Sequence, residues 1–397
     1  MKTGELREIE IESLAYGGSG VGRTDGQVIF VPHTAPGDLA LVEVTEVKDR
    51  FLRGRIREIR RPSPDRTKPL CGSYGKCGGC HYQHLGYERQ LYWKQVQVND
   101  ALTRIGGLET PPLAPIIPSP VGYHYRGKAE FHVAEGGDGR FRIGFHQEES
   151  NLLVEIDPCE IADGSINHAL QRLRQDLGAG KIRALPARLP IWSSSDGEGL
   201  ICTNAKRTVE RQVKDMVLSV PAAGFFQANL FLVNRLVDLV VELCALEGTE
   251  TVVDCYCGSG LFSLFLADRA GRLFGIEADS AALSLARLNL TRAGRQETLF
   301  FAGDVGRELT ERFVRGGIKT DVLVLDPPRP GLAKEVMAGI FSLQPRRLVY
   351  ISCNPATLAR DIRHLSAAGY LLRSVHPLDM FPQTAHIEVV ALLEAKV

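Results

Sequence analysis

This chain contains no apolar run approaching the length needed to cross a bilayer, and its first residues, MKTGELREIEIE, lack the apolar core of a signal peptide. A cytoplasmic protein with no membrane partner is therefore expected. Net charge is missing as well: 47 Lys and Arg stand against 47 Asp and Glu, so affinity for a polyanion would have to come from a local patch. Two phosphate-binding signatures are incomplete. GGSGVG near the N-terminus is followed by neither Gly-Lys-Ser/Thr nor a strand-to-helix pattern, and Gly258-Ser259-Gly260 lacks the third glycine of the dinucleotide fingerprint. Neither a nucleotide-triphosphate loop nor an NAD site is indicated.

What is present fits a soluble globular protein. With 44% hydrophobic and 24% charged residues over 397 positions, two or three domains are expected. A patch does exist: Lys48 to Lys68 carries nine basic and three acidic residues, which suits a polyanion or simply a solvated face. Nine cysteines in a reducing compartment point to metal binding or catalysis rather than to disulfides.

Residues 4 to 59 alternate apolar and polar in short runs (REIEIESLA, QVIFVP, DLALVEVTEV, FLRGRIREI), the pattern of a small OB-like β-barrel in which the glycine-rich AYGGSGVGR serves as a connection. A proline-rich linker leads to CGSYGKCGGCHYQHL, where Cys71, Cys77 and Cys80 fall within ten residues. Thiolates at that density repel one another unless a metal neutralises them, and Cys159 in EIDPCEIA is the best candidate for a fourth ligand. Zinc and an iron–sulfur cluster both accept four thiolates, and three clustered cysteines with a distant fourth favour [4Fe–4S]. Tyr87 to Gly106 reads as a helix ended by glycine. The α+β segment that follows, to about Pro221, carries His124, Tyr125, Arg126, Lys128 and Phe131 on its strands, a mixture suited either to stacking on RNA or to an ordinary sheet surface.

Beyond residue 221 strands and helices alternate. ETVVDCYCGSGLFSLFLA gives a strand, a glycine-bearing turn and a helix; GRLFGIEAD, TLFFAGDV, TDVLVLDPPRPG and RRLVYISCNP supply four more strands; YLLRSVHPLDMF and HIEVVALLEA read as a closing antiparallel pair. This is a doubly wound, Rossmann-like sheet. Glu277 ends its second strand, and an acid there beside a bare GxG turn suits S-adenosylmethionine, whose ribose hydroxyls call for a carboxylate but which has no pyrophosphate to cradle. Asp304, closing the third strand, is placed to reach the adenine edge, and Tyr256 to pack on the cofactor. Cys353 lies where the strand Arg347 to Ser352 stops, at the carboxyl edge where open α/β sheets bind ligands. Cys202 and Cys244 read as core residues.

FFQAN at residues 225 to 229, DCYCGSG, LDPPRPG, ISCNPATLARD and HIEVV follow one another in that order. With them the chain resembles, over essentially its full length, the S-adenosylmethionine-dependent RNA uracil-5-methyltransferases; the leading barrel resembles the TRAM domain. The resemblance implies an α/β chain of three domains: residues 1–60 a TRAM-like barrel, 61–220 a central α+β iron–sulfur domain whose helix at 87–106 packs on the catalytic part, and 221–397 the methyltransferase domain. It implies Cys353 as nucleophile and Glu388 as base, Gln227, Tyr256, Gly258, Gly260, Glu277, Asp304 and Asp326 around cofactor and base, and Cys71, Cys77, Cys80 and Cys159 around [4Fe–4S]. Arg360 and Asp361 are read as ordering the helix after Cys353. At Leu261, where relatives commonly carry a small polar residue, no role is assigned. The expected substrate is RNA, with 23S ribosomal RNA favoured over the T-loop of transfer RNA, acted on by a monomer. Cytosine-5 methylation is the rival, but such enzymes place the attacking thiol in a Pro-Cys motif, and here the corresponding strand ends in Asp-Pro-Pro-Arg.

Overall fold

The computed structural model describes every residue except Asp138, Ala205 and Val397. The chain divides into two compact units, one of Met1–Gln97, Val121–Thr203 and Phe381–His386, the other of Val98–Pro120, Asn204–Met380 and Ile387–Val397. Among the described residues, no helix is long and apolar enough to cross a membrane.

The first unit begins with a closed barrel of β1 (Leu6–Leu14), β2 (Gly20–Thr24), β3 (Gln27–Val31), β4 (Leu39–Val47) and β5 (Phe51–Arg61) in the order β1-β2-β3-β5-β4. Alternation sends Ile9, Ile11, Ile29, Val31, Val42, Val44 and Leu52 inward to fill it. The stretch expected as a glycine-rich connection is in part a strand, β2. A Cβ at Gly20 would stand 2.0 Å from Thr34 Oγ1 and one at Gly22 2.4 Å from Ile9 Cγ2, so the glycines serve close strand packing rather than a turn. The basic patch is also answered from within the barrel: Arg55 and Arg57 pair with Glu43, Arg53 with Glu46, Arg60 with Glu8, and Arg61 with Glu10. It is laced by acids of β1 and β4 and is not a bare cationic stripe.

The same unit holds most of helix α1 (Tyr87–Arg104) and a sheet of β6 (Lys128–Glu135), β7 (Phe141–His146), β8 (Leu153–Glu155), β9 (Arg188–Trp192) and β10 (Leu200–Ile201), ordered β10-β9-β6-β7-β8. Helix α2 (Gly164–Gly178) covers one face, and Phe131, Ile143, Leu170 and Leu189 form the core between them. Phe131 and Tyr125 are therefore wholly buried and do not offer rings to RNA as their sequence context suggested; on the other face His132 and His146 stack with ring centroids 3.8 Å apart. The segment Phe381–His386 belongs here because His81 N and Tyr82 N both donate to Gln383 O at 2.9 Å, while Gln90 exchanges two hydrogen bonds with Gln383.

In the second unit a hairpin of β11 (Thr208–Val213) and β12 (Met216–Pro221) precedes α3 (Val233–Cys244). Then β13 (Thr251–Cys255), α4 (Leu261–Leu266), β14 (Arg272–Glu277), α5 (Ser280–Arg292), β15 (Leu299–Ala302), α6 (Val305–Glu308), β16 (Val322–Leu325), α7 (Lys334–Leu343), β17 (Arg347–Ser352), α8 (Pro355–Ala367), β18 (Tyr370–Leu378) and β19 (Glu388–Ala395) build one seven-stranded sheet. Its order is β15-β14-β13-β16-β17-β19-β18, with β13 to β17 parallel and the last two strands antiparallel. The order reverses beside β13, which opens the ligand crevice at the carboxyl edge. Val98, Ala101 and Leu102 of α1 join this unit's core with Val253, Leu323, Leu348 and Ile362. The run from Pro112 to Ile117 lies along the outer edge of β18, with Ala114 N donating to Val375 O at 2.8 Å and Ile117 N to Pro377 O at 2.9 Å.

Candidate active site

Strand β13 ends in a turn whose backbone must bend sharply: Tyr256, Gly258 and Gly260 have φ of 64°, 56° and 83°. Gly260 is needed twice over, since a Cβ there would stand 3.2 Å from Ala286 and Leu290 of α5. Gly258 N donates to Glu277 Oε2 at 2.9 Å and Asp279 N to Glu277 Oε1 at 2.8 Å, so the acid at the end of β14 is oriented by the turn it faces. Asp304 is exposed and caps α6 by accepting from Arg307 N at 3.0 Å. Tyr256 is half-buried at the end of β13, the strand next to β14 and its Glu277.

Deeper in the crevice the polar groups are incompletely paired. Asp254 is fully buried; Ser263 Oγ donates to its Oδ2 at 2.6 Å, yet burial still pushes its carboxyl up to about 7. Asp254 Oδ1, Ser259 Oγ and Gln227 Oε1 are buried with no hydrogen-bond partner among the described residues. Unpaired buried polar atoms are costly, and those of Asp254 and Ser259, on either side of the turn after β13, fit a site whose missing donors and acceptors belong to a ligand. Asn229 fixes the segment bearing Gln227, accepting from Phe231 N and Leu232 N at 2.9 and 3.1 Å and donating to Ser119 Oγ at 3.0 Å.

On the far side of the switch point, Asp326 follows β16, and burial together with the charges of Asp254 and Glu277 raises its carboxyl to about 7. Between β17 and β19 the register pairs Arg347 with Glu394 and Ser352 with Val389; carried one residue further, it sets Cys353 against Glu388. Glu388 is 4% exposed, and burial and then Asp326 hold its carboxyl well above the ordinary range. The half-buried Cys353 thiol is raised by burial, then by the charge of Glu388, whereas Arg329 lowers it and Asp326 raises it. The crevice thus brings together a thiol, a proton-retentive carboxyl and a second carboxyl. Arg329 was not singled out in the sequence, although its place three residues after Asp326 in Asp-Pro-Pro-Arg is a legible signal. Cys202 and Cys244 are buried as expected, and so are Cys255 and Cys257.

The first unit contains the other cysteine set. Cys71, Cys77, Cys80 and Cys159 are free and partly exposed; burial and then the charges of Cys159, Cys77 and Cys71 push Cys80 up to about 12, and burial and then those of Cys159 and Cys71 push Cys77 up to about 11. Cys71 N donates to Gln83 Oε1 and Cys159 N to Asn167 Oδ1, both at 3.0 Å, which fixes the backbone at the two ends of the set. Among the described residues, no three His, Cys, Asp or Glu side chains form a group placed to hold a metal ion.

The sequence pattern of the family described as "tRNA (Uracil-5-)-methyltransferase" matches residues 200–396, and that of the TRAM domain matches residues 1–56. An RNA methyltransferase of Halalkalibacterium halodurans is 33% identical over 99% of this chain and 97% of its own length; one of Caldanaerobacter subterraneus is 34% identical over 99% of both. The chain belongs to the RNA uracil-5-methyltransferase family. Its fold is similar throughout to that of the Pyrococcus abyssi tRNA (uracil-54, C5)-methyltransferase solved in complex with S-adenosyl-L-homocysteine, with a TM-score of 0.76 and 26% identity over 98% of this chain and 100% of the other. The methyltransferase accordingly uses S-adenosylmethionine as donor and RNA uracil as acceptor. The unpaired atoms of Gln227, Asp254 and Ser259 and the acids Glu277 and Asp304 provide a setting consistent with such a donor.

Proposed function

We propose that this methyltransferase modifies C5 of a uridine in ribosomal RNA by transient covalent addition of Cys353 to C6 of the base. The observation that carries the reading is that Cys353 and Glu388 adjoin the last pair of the β17–β19 ladder, Ser352 and Val389, and that the charge of Glu388 acts on the thiol.

C5 of uracil is too poor a nucleophile to attack a sulfonium methyl unaided. When the thiolate forms a bond to C6, the C5–C6 electron pair is displaced toward O4 and C5 becomes enolate-like. S-adenosylmethionine, when bound, supplies the electrophilic methyl. Glu388 then takes the proton from C5; the electrons left behind rebuild the double bond and expel Cys353 as thiolate. A carboxyl that burial makes proton-retentive is suited to that removal, since its conjugate base binds a proton more strongly than an exposed glutamate does. Asp326 and Gln227 hold the base edge or the donor, and Tyr256, Gly258, Gly260, Glu277 and Asp304 surround the donor. The target uridine has to leave its stack to reach the crevice.

Cys71, Cys77, Cys80 and Cys159 hold a [4Fe–4S] cluster in this reading; four thiols that feel one another's charges are a donor set of the right chemistry for it. A second target, the T-loop of transfer RNA, is favoured by the full-length likeness to the Pyrococcus abyssi enzyme, whose substrate is uracil-54 of tRNA. Mapping 5-methyluridine by mass spectrometry in RNA from cells lacking this protein separates the two: loss from ribosomal RNA supports the first, loss from transfer RNA the second. Cys353→Ala should abolish methylation and leave RNA binding intact; retained turnover would overturn the covalent route.

A further inference from the structure

Asp361 was expected to order the helix after Cys353, but that helix is already capped without it: Asn354 Oδ1 accepts from Ala356 N at 3.1 Å. The bonds of Asp361 lead elsewhere. Its carboxylate is 1% exposed, and it accepts from Tyr350 Oη at 2.8 Å, from Leu332 N at 2.9 Å and from Arg360 at 2.7 and 2.8 Å. Arg360 in turn donates to Pro330 O at 2.9 Å, and Arg329 O receives Thr357 Oγ1 at 3.1 Å and Asn354 Nδ2 at 3.3 Å. Positions 329, 330 and 332 are thereby tied to α8 and its N-cap. Gly331 fits this arrangement alone, since a Cβ there would stand 2.5 Å from Asp361 Oδ2 and 2.7 Å from Arg360 Nη2 at a φ of 81°. A buried carboxylate costs several kcal/mol unless its lone pairs are met, so this one dictates where its donors sit.

From this network we infer that Asp361 is a positioning residue for methylation: it locks the loop bearing Arg329 onto α8 and so keeps that guanidinium within electrostatic reach of Cys353. The inference rests on Cys353 being the nucleophile. The charged groups that act on the thiol are Glu388 from β19 and Asp326 and Arg329 from the loop after β16; of these three, Arg329 alone favours the thiolate. A loop released from α8 takes that cation away and leaves the two carboxyls.

The test follows the pH dependence of iodoacetamide labelling at Cys353, read on its own peptide by mass spectrometry in the full chain, with S-adenosylhomocysteine binding as the check of folding. Asp361→Asn should move the labelling midpoint to higher pH and slow labelling at pH 7 roughly tenfold, as a one-unit shift does. Tyr350→Phe, which removes one donor, should shift it less in the same direction and decides the matter if Asp361→Asn does not fold. Asp361→Asn combined with Arg329→Gln should label no more slowly than Arg329→Gln alone. A wild-type midpoint in folded variants would overturn the inference, since a purely structural role changes melting and not this profile. Because labelling needs no turnover, failure of the covalent route in Cys353→Ala would be seen separately.

Discussion

The β17–β19 register ends on Ser352 and Val389, and carried one step further it sets Cys353 opposite Glu388. Side chains on facing rungs of an antiparallel pair lie about 5 Å apart at Cβ, close enough for one uracil ring to meet both. In the proposed route, addition and proton removal fall to residues at the ends of two strands whose spacing is set by backbone hydrogen bonds. Glu388→Gln should therefore leave addition working and stop elimination: methylation should fall by about 10²- to 10⁴-fold, and an RNA–protein adduct that survives denaturation should accumulate on gels. Wild-type enzyme given 5-fluorouridine RNA should form the same adduct, because the fluorine at C5 cannot leave as a proton does.

The raised Cys353 thiol sets a pH dependence. Since burial and Glu388 hold it above its ordinary value, the thiolate fraction and the single-turnover rate should both climb from pH 7 toward pH 9. A flat profile over that range would count against thiolate attack as the slow step.

Gln227→Leu removes a carbonyl that is buried without a partner among the described residues. The free protein should be no less stable for it, while affinity for whichever ligand pairs with that oxygen should drop about tenfold. Calorimetry with S-adenosylhomocysteine, set beside the KM for RNA, will show which of the two it is.

Asp254 bears on stability. Its carboxyl is raised to about 7 in the folded chain, so the fold binds that proton more tightly than the unfolded chain does; the associated stability is present below its ordinary value near 4 and is lost as pH climbs through about 7. The full shift corresponds to the order of 4 kcal/mol. Asp254→Asn keeps an acceptor for Ser263 and should flatten this loss, making the variant more stable than wild type at pH 8 in denaturant titrations; equal pH slopes would refute the assignment.

Anaerobically purified protein should be brown and carry about four irons, and Cys71→Ser, Cys77→Ser, Cys80→Ser or Cys159→Ser should each lower the iron content. Zinc without iron in elemental analysis would decide for the other metal.

Much of this molecule was legible locally. Strand β17 occupies the residues read as a strand in the sequence, Arg347–Ser352, and Asn354-Pro355 turns the chain into α8. What escaped depends on partners distant in sequence. Gly20 and Gly22 look like a connection until Thr34 and Ile9 are packed against them. The arginines of β5 look like an RNA stripe until Glu8, Glu10 and Glu43 arrive from other strands. Tyr125 and Phe131 sit among basic residues in the chain, but strand alternation turns Phe131 inward and Tyr125 is buried with its hydroxyl donating to Pro382 O. Within the crevice the motif residues were visible one by one, whereas the apposition of Cys353 and Glu388 required β19 to insert between β17 and β18, an order that periodicity does not encode.

The strap from Pro112 to Ile117 along β18 bears on how this protein can be dissected. The catalytic sequence pattern starts at residue 200, yet the seven-stranded sheet has its outermost backbone groups satisfied by a stretch more than 80 positions earlier. Expressing residues 200–397 alone would strip that cover and leave a hydrogen-bonding edge open to pair with another chain, which is how soluble fragments become inclusion bodies. A fragment meant for crystallisation or calorimetry should retain residues 98–120, joined through a linker.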